Sequence, residues 1–155
     1  MMFRSLSRRG TALRLVIAGV LGAGALLTST ATAHAAANPY TPEGVCGSGY
    51  HVIDSRTLTH LNGGSGGKVY LLYNNSSGYN CAVTIKNVSV GVATKTGVKM
   101  IIGNTPYEQN GTFKYYAGPI RGRGAGKCVW TNGYTFKAGG YTSYAASIPE
   151  GHCGS

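Results

Sequence analysis

Four cysteines offer the clearest chemistry in this chain, because a thiol can oxidise to a disulfide or bind a metal ion. They are Cys46, Cys81, Cys128 and Cys153. No two have the C-x-x-C spacing of zinc knuckles and redox motifs, and an even number in an exported protein predicts disulfides. Of the three pairings open to four cysteines, we favour Cys46 with Cys81 and Cys128 with Cys153, since each closes a short loop within one half of the chain. Each bridge would stabilise the fold by about 3–4 kcal/mol.

Ser65 lies in the centre of the segment GGSGG (residues 63–67), which formally matches the G-x-S-x-G pattern of a serine nucleophile. That pattern requires a strand-to-helix turn in a large α/β sheet, with an acid and a histidine following in sequence. The region after residue 35 is short and shows no helical periodicity. The segment therefore predicts a glycine- and serine-rich hairpin loop, not a nucleophile.

Histidines are the next candidates, because they bind metals and transfer protons near neutral pH. Three follow residue 35: His51, His60 and His152. His51 and Asp54 are three positions apart, which places them on opposite faces of a strand and argues against a local dyad. A metal site needs three or four convergent ligands, and no cluster of that kind is visible in the sequence. We expect no metal and no other cofactor.

A small basic exported protein could also be a ribonuclease, which would use a carboxylate base, a histidine acid and an arginine that holds phosphate. Glu108, His152 and Arg121 are the candidates for those roles. Nothing in their spacing supports the assignment, and four acidic residues offer no obvious pair for glycoside hydrolysis. We therefore predict that the protein is not an enzyme.

Aromatic side chains suggest a binding function instead. The chain has eleven tyrosines, one tryptophan and three phenylalanines, so tyrosine dominates its large side chains. Exported carbohydrate-binding domains stack sugars on exposed rings, and the candidates for such rings are Tyr107, Tyr115, Tyr116, Trp130, Tyr134 and Tyr141. Tyr116, Trp130 and Tyr141 are our first choice for a glycan platform. The alternative is that these rings pack in the core and across strands, where β-sheets favour aromatic residues.

The N-terminus has the three parts of a secretory signal peptide. Positive charge comes first, supplied by Arg4, Arg8, Arg9 and Arg14. An apolar run of thirteen residues follows, Leu15 to Leu27, which is short for a membrane span of about 20 residues. Ala33-His34-Ala35 fits the A-x-A cleavage pattern. We predict cleavage between Ala35 and Ala36, which leaves no membrane anchor. We favour general secretory export over the twin-arginine route, because the residues after Arg8 and Arg9 match the twin-arginine signal poorly.

Positive charge persists after the predicted cleavage, since residues 36–155 contain ten Lys and Arg against four Asp and Glu, a net charge of +6. Such a balance favours anionic surfaces such as cell-wall polymers, without indicating a specific nucleic acid. Only Arg121, Arg123 and Lys127 approach a basic patch, and these are the candidate contacts for anionic polymers. The alternative is that they form a solvated face that maintains solubility.

Short runs rich in Val, Ile, Tyr and Thr alternate with Gly, Asn, Ser and Pro throughout residues 36–155, which predicts strands joined by turns. Val69 to Tyr73 is apolar on both faces, as in a central strand covered on each side. Cys81 to Lys86 alternates, which predicts that Thr84 and Lys86 point outward. Seven or eight strands favour a single all-β domain over residues 36–155, a small antiparallel β-sandwich with two disulfides or, as the alternative, a small β-barrel.

Six segments of the chain are distinctive when taken together: NPYTPEGVCGSGY (38–50), GKVYLLYN (67–74), GYNCAVTIK (78–86), YYAGP (115–119), AGKC (125–128) and HCG (152–154). With these segments the chain resembles the spore-associated protein A family of filamentous actinobacteria. These segments include all four cysteines. The resemblance implies a small exported protein found at the spore surface or aerial mycelium, and it transfers no catalytic residue.

We therefore expect a non-enzymatic, secreted protein at the spore or cell surface, held partly by its positive charge on anionic wall polymers. A secreted glycan-binding module that uses exposed Tyr and Trp is the alternative. A small secreted hydrolase, nuclease or inhibitor is a more distant one.

Overall fold

Eight strands and one short helix make up the part of the chain that the computed structural model describes, residues 36–154. The elements are α1 (Pro42–Cys46), β1 (His51–Thr59), β2 (Ser65–Asn74), β3 (Tyr79–Lys86), β4 (Thr94–Ile102), β5 (Thr105–Phe113), β6 (Tyr116–Arg123), β7 (Val129–Phe136) and β8 (Ser143–Gly151). The predicted signal peptide, including Ala35, lies outside these residues, and Ala36 is the first of them. No helix in the described range is long and apolar enough to cross a membrane.

The strands form one antiparallel sheet in the order β5-β4-β7-β8-β1-β2-β3-β6. Its middle is weak, because β8 and β1 are joined by a single residue pair, Thr59 with Ala145. We call β6-β3-β2-β1 the first half-sheet and β8-β7-β4-β5 the second. The half-sheets pack face to face, β2 against β7 and β8, and the edge strands β5 and β6 also contact each other. The predicted antiparallel all-β fold is confirmed, with the facing layers of a sandwich in a sheet that nearly closes as a barrel.

Apolar side chains from both half-sheets fill the space between them. They are Leu58, Val69, Leu71 and Ala82 from the first, and Val98, Met100, Ile102, Val129 and Ile148 from the second. Gly133 of β7 permits the close approach, since a Cβ there would clash with the Thr84 hydroxyl and lie 2.7 Å from Val69 Cβ. The alternation of inward and outward residues along β7 and β4 thus places one face of the second half-sheet in this core.

The first half-sheet is also covered on its outer face. Leu72, Cys81 and Val83 form a second apolar cluster there with Cys46 of α1 and the neighbouring Val45. Burial on both sides explains why Val69 to Tyr73 is apolar on both faces, and that prediction is confirmed.

The prediction that Thr84 and Lys86 point outward is wrong, because both are fully buried. When both faces of a strand are covered, alternation no longer distinguishes core from solvent. Thr84 Oγ1 donates to Gly97 O at 3.0 Å, so its hydroxyl is satisfied inside the fold.

Both predicted disulfides are confirmed, and the described residues contain no free cysteine. Cys46–Cys81 attaches α1 to β3, and Cys128–Cys153 joins the residue before β7 to the segment after β8. Each bridge therefore fastens elements of one half-sheet, as the sequential pairing requires.

Candidate functional site

An extended N-terminal arm (residues 36–41) lies across the ends of β3 and β6. Asn38 holds it there: its Nδ2 donates to Lys86 O at 3.0 Å and to Tyr115 O at 2.7 Å, while its Oδ1 accepts from Tyr40 N at 3.1 Å. The Tyr40 ring packs against Tyr115 and Tyr116, with ring centroids 5.3 and 4.9 Å apart. One asparagine therefore fixes both the arm and the ring that the arm carries.

Two surface depressions flank Tyr40, and we call them together the tyrosine groove. The first has a volume of about 430 Å³, and its lining includes Tyr40, Thr57, Ser65, Lys68, Tyr70 and Asn87. The second has a volume of about 320 Å³ and is lined by Tyr40, Gln109, Phe113, Lys114, Tyr115, Tyr116 and Gly118. Tyr40 belongs to the lining of both, so the two depressions adjoin one another at this residue.

The tyrosine groove offers positive charge and hydroxyl groups to a ligand. Lys68 and Lys114 are exposed and supply positive charge, and neither depression has an aspartate, glutamate or histidine in its lining. Burial, and secondarily the charge of Glu43, raise the pKa of Tyr70, so its hydroxyl stays protonated and can donate a hydrogen bond at neutral pH. The exposed ammonium groups and the protonated hydroxyl can form ion pairs and hydrogen bonds with a polar or acidic ligand.

Lys86 lies beneath the arm, and its side chain is 1% exposed. Its Nζ donates to Val92 O at 2.8 Å, Thr94 Oγ1 at 2.7 Å and Phe113 O at 2.9 Å. Burial lowers the pKa of this ammonium group. Because all three N–H donors are used, Lys86 fastens the end of β3 to the segments around β4 and β5 and is not available to a ligand.

The three residues predicted as a glycan platform lie on different parts of the fold. Tyr116 lines the tyrosine groove. Trp130 is half-buried on the outer face of β7, on the same side of the strand as Tyr134. Tyr141 is fully exposed in the loop between β7 and β8, where it lines a separate depression with Lys137. Tyr116 therefore shares a groove with other rings, and Trp130 and Tyr141 do not join it.

The predicted basic patch divides in a similar way. Arg121 Nη2 donates to Cys46 O at 2.8 Å, and its guanidinium lies 5.8 Å from the centre of the Tyr50 ring. A cation at the C-terminus of a helix interacts favourably with the last carbonyls, so Arg121 stabilises α1. Arg123 and Lys127 are exposed and leave their charges to solvent.

The histidines do not converge. His51 packs near the Tyr73 ring, His60 near Tyr144, and His152 Nε2 lies 3.2 Å from Asp54 Oδ2. The described residues contain no group of three His, Cys, Asp or Glu side chains that could hold a metal ion.

The ribonuclease candidates are also dispersed. Glu108 is on β5 and His152 follows β8, with β4 and β7 between those strands in the sheet. Arg121 is engaged with α1.

The contact between Asp54 and His152 was missed by sequence reasoning. The two residues are 98 positions apart, and no local spacing connects them. Asp54 also forms an ion pair with Arg56, and its Oδ1 accepts from Ser55 N at 2.6 Å. Since β1 and β8 share a single residue pair, the interaction between Asp54 and His152 adds a polar contact between β1 and the segment after β8.

Comparison with curated proteins finds one relative that covers most of the chain. Spore-associated protein A of Streptomyces coelicolor is 39% identical over 118 residues, which span 74% of this chain and 73% of that protein. No protein-family model matches the chain, and no solved structure matches it.

Proposed function

Because the chain belongs to the spore-associated protein A family, we propose that it is a non-enzymatic protein exported to the spore or cell surface, held there partly by its positive charge on anionic wall polymers. The relative's name supports the location, and the predicted signal peptide supports export. The observation that carries the charge argument is the exposure of the basic residues.

Nine of the ten basic residues in the described range reach solvent, Lys86 being the exception. Among the lysines and arginines of that range, only Arg56 forms an ion pair with a carboxylate. The free charges lie on both half-sheets, for example Lys68 on β2 and Lys95 on β4. A dispersed set of unpaired cations is suited to a polyanion that offers many equivalent charges, and less suited to a single acidic site.

The ribonuclease candidates Glu108, His152 and Arg121 do not converge in the described residues, which supports a non-enzymatic function. Arg121 is engaged with α1, and β4 and β7 separate the strand of Glu108 from β8, which His152 follows. Zymograms on RNA, peptidoglycan and protein are expected to show no activity, and a cleared zone that co-purifies with the protein would contradict this part of the proposal.

The charge proposal is tested by binding the exported, purified protein to isolated spore walls over a series of NaCl concentrations. The bound fraction is expected to fall steadily as salt increases, because exposed charges are screened over about 8 Å at physiological ionic strength. Lys95→Gln should weaken retention, and the matched control Glu150→Gln, which removes a negative charge, should strengthen it. Retention that survives 1 M NaCl unchanged would show that charge does not hold the protein.

A glycan-binding module is the second candidate, favoured by the tyrosines that line the groove around Tyr40. Pull-down on wall polysaccharide separates it from charge adsorption, since soluble sugar should then release the protein at constant salt. Tyr116→Ala should reduce glycan binding because Tyr116 lines the groove, whereas Trp130→Ala, which alters the outer face of β7, should not.

A further inference from the structure

We propose that the tyrosine groove binds a segment of an anionic polysaccharide, with sugar rings packed on Tyr40 and Tyr116 and acidic substituents near Lys68 and Lys114. This rests on the proposed function, because it names one site on the protein for the same class of wall polymer. A single saturable binding site would thus add to the attraction that the dispersed basic residues supply.

The shape of the groove favours a chain over a compact molecule. Its two depressions, of about 430 and 320 Å³, each reach the size range of small-ligand pockets. Both are open at the surface and share the Tyr40 ring. A ligand that fills both must therefore be elongated and must cross Tyr40.

The aromatic surface is held in place before a ligand arrives. Tyr40 is 43% exposed, yet its backbone N–H is bonded to Asn38 and its ring contacts Tyr115 and Tyr116. A ring that is already ordered loses little conformational entropy on binding. Its negative face is suited to the C–H groups on the flat side of a sugar ring.

The polar groups select an acidic ligand. Lys68 borders the first depression and Lys114 the second, and neither ammonium group has a hydrogen-bond or ion-pair partner among the described residues. The Thr57 and Tyr70 hydroxyls add hydrogen-bonding groups to the first depression. No carboxylate lines either depression, so an acidic sugar is attracted by a lysine at each end. The charge of Glu43 reaches Tyr70 and opposes this attraction in the first depression.

A single-stranded nucleic acid also combines rings with negative charge, but its phosphates recur at every nucleotide. Grooves that bind it carry positive charge along the whole backbone path. Here two exposed lysines stand among four tyrosines, Tyr40, Tyr70, Tyr115 and Tyr116. The third lysine of the lining, Lys86, is buried and uses its donors within the fold. That ratio fits a polysaccharide whose charges are sparser than its rings.

Calorimetric titration of the exported protein tests the site with four probes: a hexasaccharide with a uronate carboxylate on every second sugar (the hexauronate), neutral chitohexaose, inorganic polyphosphate and oligouridylate. The hexauronate should bind with saturation and at least fivefold more tightly than chitohexaose. Tyr40→Ala should raise its Kd at least tenfold, and Lys68→Gln several-fold. Trp130→Ala and Lys99→Gln, on the second half-sheet, are matched controls that should change Kd less than twofold.

Polyphosphate has charge without rings, so its binding should be salt-sensitive and unaffected by Tyr40→Ala. Tyr40→Phe keeps the ring and should retain hexauronate binding, which separates loss of the aromatic face from a folding defect. The inference is overturned if Tyr40→Ala and Trp130→Ala behave alike, or if oligouridylate binds more tightly than hexauronate.

The outcomes for the groove and for wall adsorption can be told apart. If wall retention stays salt-dependent while Tyr40→Ala leaves hexauronate binding unchanged, the groove inference fails and the proposed function stands. If the hexauronate binds in a Tyr40-dependent way while walls retain nothing, the proposed function fails and the groove stands.

Discussion

Replacing Lys86 with methionine tests the polar contact that joins the end of β3 to the segments around β4 and β5. Methionine keeps the length of the side chain and removes its charge and its donors. The ammonium group is almost completely buried and donates to Val92 O, Thr94 Oγ1 and Phe113 O at 2.7–2.9 Å. None of these acceptors is a carboxylate, so the charge is stabilised by dipoles alone.

Two opposing effects set the size of the change. Three hydrogen bonds to a charged donor contribute about 1.5–3 kcal/mol each. Against this gain, burying an ammonium group costs several kcal/mol after relaxation. The bonds to Val92 O and Phe113 O are only partly buried, so in the variant water can hydrogen-bond to these carbonyl oxygens in place of the ammonium group. We expect Lys86→Met to lower the free energy of unfolding by about 2–3 kcal/mol, a large part of a typical 5–15 kcal/mol.

The pH dependence has a definite sign. Burial lowers the pKa of Lys86 from its ordinary 10.5, so between the lowered value and 10.5 the unfolded chain binds more protons than the folded one. Across that window the contribution of Lys86 to the stability of the wild type increases with pH. Below that window the full cost of the buried charge is present. Tyr50 and Tyr70, whose pKa values are raised by burial, affect both proteins equally. The difference between wild type and Lys86→Met should therefore widen as pH rises toward 10.5.

Denaturant unfolding with intact disulfides measures the effect through the midpoint at constant m-value. Lys68→Met is the matched control: it removes an exposed lysine from the neighbouring strand and should change stability by less than about 0.5 kcal/mol. An unfolding midpoint for Lys86→Met equal to or above wild type would refute the reasoning. So would a difference that does not widen as the pH approaches 10.5.

Further substitutions test three other features of the fold: the buried threonine hydroxyls, the second disulfide and the close approach at Gly133. Thr131→Val should be neutral or stabilising by up to about 1 kcal/mol, because the buried Thr131 hydroxyl has no partner. Thr135→Val breaks a buried hydroxyl pair and should cost about 1 kcal/mol. Thermal unfolding compares the two variants. Replacing Cys128 and Cys153 with serine should cost about 3.5 kcal/mol from loop entropy, given a separation of 25 residues, and an unchanged denaturation midpoint would contradict that model. Gly133→Ala should cost about 1–3 kcal/mol by forcing β7 away from β2, and a wild-type melting temperature would show that the half-sheets do not approach so closely.

The features that sequence predicted correctly depend on local pattern. Four cysteines and short alternating strands were sufficient for the disulfide pairing and for the antiparallel β-fold. Apolar residues on both faces from Val69 to Tyr73 identified a strand covered on both sides. In each case the signal lies within a few residues or in a count of one residue type.

Other features depend on which faces the fold covers, and sequence does not carry that information locally. Lys86 alternates with apolar neighbours, which ordinarily indicates solvent, yet the three oxygens that surround it come from segments 6, 8 and 27 residues away. Asp54 and His152 meet across 98 residues. A strand pattern places residues on a common face, but it does not say what packs against that face.

Tyr40 illustrates the same limit at the candidate site. It lies in an arm without strand periodicity, so sequence reasoning gave it no role among the aromatic residues, although it is the ring that both halves of the groove share. Its position depends on Asn38, whose amide reaches carbonyls 48 and 77 residues away. Asn38 fastens the arm over the ends of β3 and β6, and this contact brings the Tyr40 ring beside Tyr115 and Tyr116. The covering of the first half-sheet, which the local sequence pattern does not indicate, thus forms the candidate binding surface.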